Sequence, residues 1–329
     1  AAGFAAASGS SLATAAAMGR LAIPEMLKFG YDKSLATGTI AAAGTLGALI
    51  PPSIAFVIYG WFTEQPIGKL LIAGIIPGLL TAAFYTVMII GRCMADPKLA
   101  PKIRIEVTWE EKLQALREVW PLPLLVLGVV GGIYGGLTTP TEAGAFGAFL
   151  ALVIGALQRR LSWENFKASV AEALRTTSAV FFIAIGAILL TRFLAMAGVP
   201  RYMAEVVQAL ELSEIWLIVA MTVIYLGLGM FLDPLGLMLL TLPVFLPIFD
   251  VMNIDLIWVG VLVVKLIEIG LLTPPVGLNA YVVKGVVGDA VPLSTIFRGL
   301  LWFLACEAVI MVLLISYPQI SLWLPNLMD

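Results

Sequence analysis

The chain has 329 residues, 61% of them hydrophobic and 12% charged, with a formal net charge of −2, against about 45–50% and about 25% in an ordinary soluble domain. It holds no histidine and two isolated cysteines, Cys93 and Cys306, which excludes a His-ligated metal, a His general base or proton relay, and a disulfide framework. The composition is that of an integral membrane protein, and nothing in it suggests nucleic acid as a partner.

Several apolar runs reach the roughly 20 residues that cross a hydrocarbon core as helix, and alternating strand patterns are absent, so the fold class is all-α and polytopic. The first residues, Ala1-Ala2-Gly3-Phe4, carry no basic leader pattern and read as the interior of a larger protein. Ser8-Gly9-Ser10-Ser11 then opens an Ala-rich run. Such a serine cluster suits a helix N-terminus whose hydroxyls and free N–H groups hold an ion or carboxylate. Small residues equally suit a close helix–helix contact. After a short loop at 20–33, a crossing over 34–61 is interrupted at Gly47-Ala48-Leu49-Ile50-Pro51-Pro52-Ser53. Residues 67–91 form the next crossing, with a kink expected at Pro77.

Residues 92–118 hold six Lys/Arg and five Asp/Glu and read as a charged interfacial helix. Residues 121–136 and 141–157 are two further crossings, and Thr139 or Thr141 caps the second with Glu142 in its first turn, with substrate contact as the alternative. Residues 158–175 form a second charged amphipathic stretch, followed by a crossing over 176–197. Residues 214–249 are too short for two full crossings, which need roughly 40 residues and a turn. A re-entrant hairpin with its tip at Asp233-Pro234-Leu235-Gly236 fits better. An acid at that depth marks a functional site by default, or else an N-cap of the returning arm.

Residues 256–283 contain Gly270-Leu271-Leu272-Thr273-Pro274-Pro275-Val276-Gly277-Leu278-Asn279. Two adjacent prolines remove two donors and clash with the preceding turn, so this crossing is a broken helix. Broken backbone at that depth must be buried in protein or line a polar cavity. Lys265 and Glu268, one turn apart, are expected to pair across that turn, with direct substrate binding as the alternative; Arg192 is free to snorkel to an interface. Residues 295–324 are the last apolar run.

The proline pairs Pro51-Pro52 and Pro274-Pro275 are offset by 223 residues. The same offset sets Gly47 against Gly270, Pro24 against Pro247, Gly30-Tyr31-Asp32 against Asn253-Ile254-Asp255, and Ser10 against Asp233. Two halves share one plan, and residues 1–23 are then the tip and returning arm of a first hairpin. With 20–33 cytoplasmic, the segments 20–33, 92–118, 158–175 and 284–298 fall on one side and hold 3, 6, 4 and 2 of the 19 Lys and Arg. Lys69, Arg192, Arg201 and Lys265 are the exceptions. On this assignment the two hairpins open to opposite sides and the repeats are inverted. Paired discontinuous helices in inverted halves point to the midplane site of a secondary transporter. A channel uses similar broken helices, but two half-sites with opposed hairpins suit alternating access better.

Residues 44–53 (Gly-Thr-Leu-Gly-Ala-Leu-Ile-Pro-Pro-Ser), 270–279 (Gly-Leu-Leu-Thr-Pro-Pro-Val-Gly-Leu-Asn), 229–233 (Gly-Met-Phe-Leu-Asp) and 137–143 (Leu-Thr-Thr-Pro-Thr-Glu-Ala) resemble the large, M-type membrane subunit of TRAP (tripartite ATP-independent periplasmic) transporters. The likeness runs over essentially the whole chain; the family's preceding scaffold helices and entering hairpin arm would lie ahead of Ala1. The resemblance implies an elevator-type fold with four parts. These are a first-half transport region (1–66), scaffold helices with charged arm helices (67–213), a second-half transport region (214–290) and a C-terminal membrane helix (291–329).

Family membership also implies sodium-driven uptake of organic acid anions such as C4-dicarboxylates or sugar acids, in a multi-pass protein of a bacterial or archaeal inner membrane. Its partners would be a periplasmic substrate-binding protein and a small Q-type membrane subunit, and sodium would be the coupling ion, with no other cofactor. A related transporter working without a binding protein is the alternative. The resemblance carries sodium coordination to the neighbourhoods of Ser10, Gly47, Pro51 and Ser53 in the first half, and of Asp233, Thr273, Pro274, Gly277 and Asn279 in the second. Substrate contact falls to Ser8, Ser10, Ser11, Pro234 and Asn279. The chemistry agrees: proline pairs free upstream carbonyls for a hard cation, and half-helices starting near Ser11 and Pro234 aim N-termini at an anion.

Overall fold

The computed structural model describes residues 2–101, 108–209 and 213–328; within the charged 92–118 stretch, residues 102–107 lie outside this description. No strand occurs among the described residues, in keeping with a hydrocarbon solvent in which each spanning segment must satisfy its own backbone. Six helical stretches among them are long and apolar enough to cross a bilayer: Lys33–Thr63, Ile67–Ala95, Pro140–Leu157, Trp163–Met196, Pro234–Val251 and Leu293–Ser316. Large apolar side chains such as Leu127 and Phe182 face outward, which is a liability in water and the rule in lipid. The protein is multi-pass.

The chain begins with α1 (Ala2–Ser8), α2 (Ser11–Lys28), α3 (Lys33–Gly44), α4 (Leu46–Leu49) and α5 (Ile54–Thr63). It continues through α6 (Ile67–Ala73), α7 (Ile75–Ala95), α8 (Trp109–Val119), α9 (Pro121–Tyr134), α10 (Pro140–Leu157), α11 (Trp163–Met196) and α12 (Val199–Ala209). The last group is α13 (Glu214–Gly229), α14 (Pro234–Val251), α15 (Leu256–Gly270), α16 (Leu278–Val287), α17 (Leu293–Ser316) and α18 (Gln319–Leu322).

The 223-residue offset holds at the level of elements. Added to the bounds of α2 it gives 234 and 251, the bounds of α14; added to Lys33 it gives 256, the start of α15. The caps repeat as well. Asp32 Oδ1 accepts from Ser34 N and Leu35 N, each at 2.9 Å, and Asp255 Oδ1 accepts from Ile257 N and Trp258 N at 2.8 and 3.0 Å. Ser10 and Asp233 cap α2 and α14. Each half is therefore a hairpin followed by a broken helix.

Two expectations are revised. The break in the third crossing falls at Gly74, not Pro77. Pro77 sits in the first turn of α7, where a missing N–H is harmless, and it cannot donate to Ala73, so the ladder stops just before it. Residues 163–196 are one continuous helix, not an amphipathic stretch followed by a separate crossing. No proline interrupts it, and at 1.5 Å per residue its roughly 50 Å exceed a hydrocarbon core of about 30 Å, so its charged first turns extend past the apolar layer.

The cores follow the repeat. Residues 258–270 of α15 are all buried, packed with Leu49, Phe56 and Tyr59 of the first half, Leu70 of α6, Tyr225 of α13, and Leu237 and Phe249 of α14. A second cluster joins α2, α3, α7, α16 and α17 through Ile23, Ile40, Tyr85, Val283 and Phe303. Both broken helices are thus embedded in protein, as unpaired backbone at that depth requires.

Candidate functional site

At the first hairpin tip, Gly9 turns the chain with φ +62°, and a Cβ there would lie 2.9 Å from Pro52 O. Ile54 N donates to Gly9 O at 3.3 Å. The tip therefore rests directly on the first helix break. Ser8 and Thr14 join by a short hydroxyl–hydroxyl hydrogen bond, and Ser10 Oγ accepts from Ala13 N at 3.5 Å, a long and weak cap. Gly47 admits the tip backbone: a Cβ on it would meet Thr14 Oγ1 at 2.9 Å and Ser10 O at 3.0 Å. Ser53, buried, donates to Ala48 O at 2.5 Å and accepts from Phe56 N at 3.3 Å. Its hydroxyl satisfies an upstream carbonyl that the Pro51-Pro52 pair leaves without its usual donor.

The second half repeats this with different side chains. Asp233 Oδ2 accepts from Gly236 N at 3.0 Å while the residue stays exposed, so the capping role is realised. Gly229 and Gly270 let α13 and α15 touch backbone to backbone; a Cβ on Gly270 would stand 2.8 Å from Gly229 C. Thr273 Oγ1 donates to Ile269 O at 2.7 Å, and Asn279 N reaches Leu271 O at 3.1 Å, bridging the break made by Pro274-Pro275. Gly277 starts α16 from the left-handed region, φ 58°. Asn279 does not stay within its own half. Fully buried, it donates from Nδ2 to Ala41 O at 3.2 Å and abuts Gly44, beside Ser11 O. Its Oδ1 has no hydrogen-bond partner among the described residues.

The two tips meet at a cavity of 630 Å³. Ser10 and Ser11 enter it from the first hairpin, Asp233 and Pro234 from the second, and Trp61 and Phe181 form part of its apolar wall. The N-termini of α2 and α14 both open on this space, giving two partial positive charges and free N–H donors suited to a carboxylate. Of the expected substrate residues, Ser10, Ser11 and Pro234 line the cavity; Ser8 and Asn279 do not. Pro274 instead lines a separate 600 Å³ pocket with Ser294, Phe297 and Arg298.

The structure adds Glu268, a lining residue of the cavity that is 2% exposed and accepts from Ser11 Oγ at 2.6 Å. The expected Lys265–Glu268 pair does not form. Lys265 Nζ turns to Glu307 on α17, 2.6 Å from Oε2 and 2.8 Å from Oε1, and donates to Thr81 at 2.8 Å. Two carboxylates competed for one buried ammonium, and Glu307, further held by Tyr85 OH, offers both oxygens. An acid midway along the last apolar run signals such a partner, since an unpaired charge there is costly. The capping box at α10 is built from Thr139 and Glu142, with Thr139 N donating to Glu142 Oε2 at 2.8 Å.

A family model for the DctM component of tripartite ATP-independent periplasmic transporters matches residues 1–320. The C4-dicarboxylate TRAP transporter large permease protein DctM of Pseudomonas aeruginosa is 37% identical over 329 residues, covering 98% of this chain and 75% of the relative. The sialic acid TRAP transporter permease protein SiaT of Haemophilus influenzae is 35% identical over 326 residues, 99% of this chain and 52% of the relative. The ectoine/5-hydroxyectoine TRAP transporter large permease protein UehC of Ruegeria pomeroyi is 32% identical over 327 residues, 98% and 75%. These relatives are permease subunits and not enzymes. With the family model matched over residues 1–320, this chain belongs to the DctM component family of tripartite ATP-independent periplasmic transporters.

Proposed function

We propose that this chain is the large membrane subunit of a sodium-coupled importer of organic acid anions in a bacterial or archaeal inner membrane. The observation that carries this reading is the convergence of two capped helix N-termini, at Ser10 and Asp233, on one cavity. A carboxylate bound there gains from both dipoles. Relatives are named for C4-dicarboxylates, sialic acid and ectoine; a C4-dicarboxylate offers one carboxylate to each N-terminus. Sodium is assigned to the oxygen-rich breaks, with Asn279 Oδ1 and the carbonyls upstream of the proline pairs as ligands. Ion binding would order the breaks and so complete the anion site, which supplies the coupling.

The transport motion is assigned to the two hairpins and broken helices, moving as one elevator body with inverted halves. The buried core that α4, α5, α14 and α15 share also takes in α6, α13 and α17, so those helices are assigned to the same body. Delivery of the anion is assigned to a periplasmic substrate-binding protein, and completion of the membrane part to a small Q-type subunit. The test is uptake of labelled succinate into proteoliposomes holding the subunits together, with the binding protein outside. Saturable uptake that needs an inward sodium gradient is expected. Equal uptake with potassium in place of sodium overturns the coupling, ohmic flux makes the protein a channel, and full uptake without the binding protein moves it to a binding-protein-independent transporter.

A further inference from the structure

We infer that the outer face of α7 and α17, at Arg92, Arg298 and Trp302, binds the headgroup of an anionic phospholipid of the phosphatidylglycerol type. α7 and α17 run antiparallel: Tyr85 meets Phe303 and Glu307, and Arg92, seven residues on, meets Trp302. The C-terminal end of α7 therefore lies beside the N-terminal end of α17. The start of α3 is at the same end. Asp32 N donates to Leu99 O at 3.0 Å, and a Cβ on Gly299 would stand 2.1 Å from Ser34 O.

On α17, residues 298, 302, 305, 309 and 312 are spaced to share one helix face, and all five are exposed. Read inward from the helix end, that stripe is a guanidinium, an indole, then Ala305, Val309 and Val312. From Trp302 to Val312 it runs about 15 Å at 1.5 Å per residue, half of a hydrocarbon core of about 30 Å. α7 contributes Val87, Ile90 and Met94, all exposed. The stripe follows the polarity of one phospholipid, phosphate outward and acyl chains inward, with a tryptophan at the boundary where such rings collect.

The cations at its head are not consumed by the protein. Arg92 Cζ lies 4.8 Å from the centroid of the Trp302 ring, and its Nη1 has no hydrogen-bond partner among the described residues. Arg298, one helical turn from Trp302, has no ion-pair partner among the described residues. It also edges the 600 Å³ pocket with Ser294 and Thr295, which leaves room for a headgroup and adds two hydroxyls. Asp32, the acid that acts on Arg92 through space, is turned to Ser34 N and Leu35 N. Lys33 next to it, with Nζ on Ala290 O at 2.9 Å, offsets its charge. The cluster is therefore net positive, and basic pockets between helices at a membrane surface take anionic headgroups. A zwitterionic lipid would bring an ammonium towards the same guanidiniums, which favours phosphatidylglycerol over phosphatidylethanolamine.

The test is native mass spectrometry of the assembled transporter, delipidated in detergent and titrated with either lipid. Phosphatidylglycerol should bind more tightly. A cation beside an anionic headgroup is worth about fivefold in affinity, so Arg298→Gln and Arg92→Gln should each weaken phosphatidylglycerol binding by about that factor. Arg298 is exposed, and its variant decides the matter should Arg92→Gln not fold. Arg298→Lys should bind nearly as the wild type does, since an ammonium also serves a phosphate. Arg20→Gln, which removes an exposed cation of α2, should change nothing. Equal affinity for the two lipids, or wild-type binding in Arg298→Gln, overturns the inference. So does an equal loss in Arg20→Gln, which would make the attraction a diffuse surface effect. Displacement of the lipid by inorganic phosphate would make this a free-anion site, and binding seen only after the small membrane subunit is removed would make it a subunit contact; either overturns the lipid assignment.

Discussion

Lys265 and Glu307 form a fully buried ion pair, Nζ to Oε2 2.6 Å, that ties the broken helix α15 to α17. Thr81 and Tyr85 of α7 complete it, so three helices meet at one charge pair. Such a pair offsets its own desolvation only while both members are present, and losing one leaves an unpaired buried charge at a cost of about 3–5 kcal/mol. Lys265→Met and Glu307→Leu should therefore each lower the thermal unfolding midpoint of the purified protein sharply. The double variant should recover most of the loss. Additive losses in the double variant would show that the two residues act separately.

Asp32, in the loop before the first broken helix, gives a pH-dependent cap. Partial burial works to raise its pKa, but the N–H groups of Leu35 and Ser34 outweigh it and hold the carboxyl below its ordinary 3.8. A depressed folded-state pKa means that the stabilisation is fully present above 3.8 and is lost as pH falls through the lower folded value. Replacing the cap with alanine costs about 0.5–2 kcal/mol. Asp32→Ala should thus unfold earlier than the wild type at neutral pH, and the gap should close on acidification below 3.8. A gap that persists at low pH would assign the loss to packing.

At Asp233 the cap and the proposed ion role separate by substitution. Asparagine keeps a side-chain oxygen for Gly236 N and removes the charge; alanine removes both. Asp233→Asn should retain the wild-type unfolding midpoint yet require more sodium for half-maximal uptake. Asp233→Ala should add about 0.5–2 kcal/mol of destabilisation. Unchanged sodium dependence in Asp233→Asn would leave the residue as a cap only.

The breaks, the hairpin tips and their 223-residue repeat were legible in the sequence because proline, glycine and capping residues act locally. The offset therefore survives to the bounds of α2 and α14. What was not legible depends on which helices become neighbours. The i, i+3 spacing of Lys265 and Glu268 is a fact of one helix, whereas the choice of Glu307 over Glu268 is set by how α17 packs on α15. The same holds for Asn279, placed in the second half by sequence but hydrogen-bonded to Ala41 of the first. Glu268 becomes a cavity residue only because Ser11 of the other half folds against it.

Asn279 also joins the two halves by a polar contact, and that sets a final prediction. Its Nδ2 is used on Ala41 O at 3.2 Å, while Oδ1 is buried without a hydrogen-bond partner among the described residues. An unsatisfied buried acceptor costs about 1–3 kcal/mol, and a hard cation is the ligand that would use it. Asn279→Ala should lower stability by leaving Ala41 O unpaired and should weaken sodium activation of uptake. Asn279→Asp keeps the oxygen and adds charge, so its sodium requirement should fall towards or below the wild-type level. Thermal unfolding with and without sodium chloride separates the effects. The wild type should gain a sodium-dependent rise in midpoint, as a ligand that binds only the folded state requires. Asn279→Ala should lose it, and an undiminished rise in that variant would place the ion elsewhere.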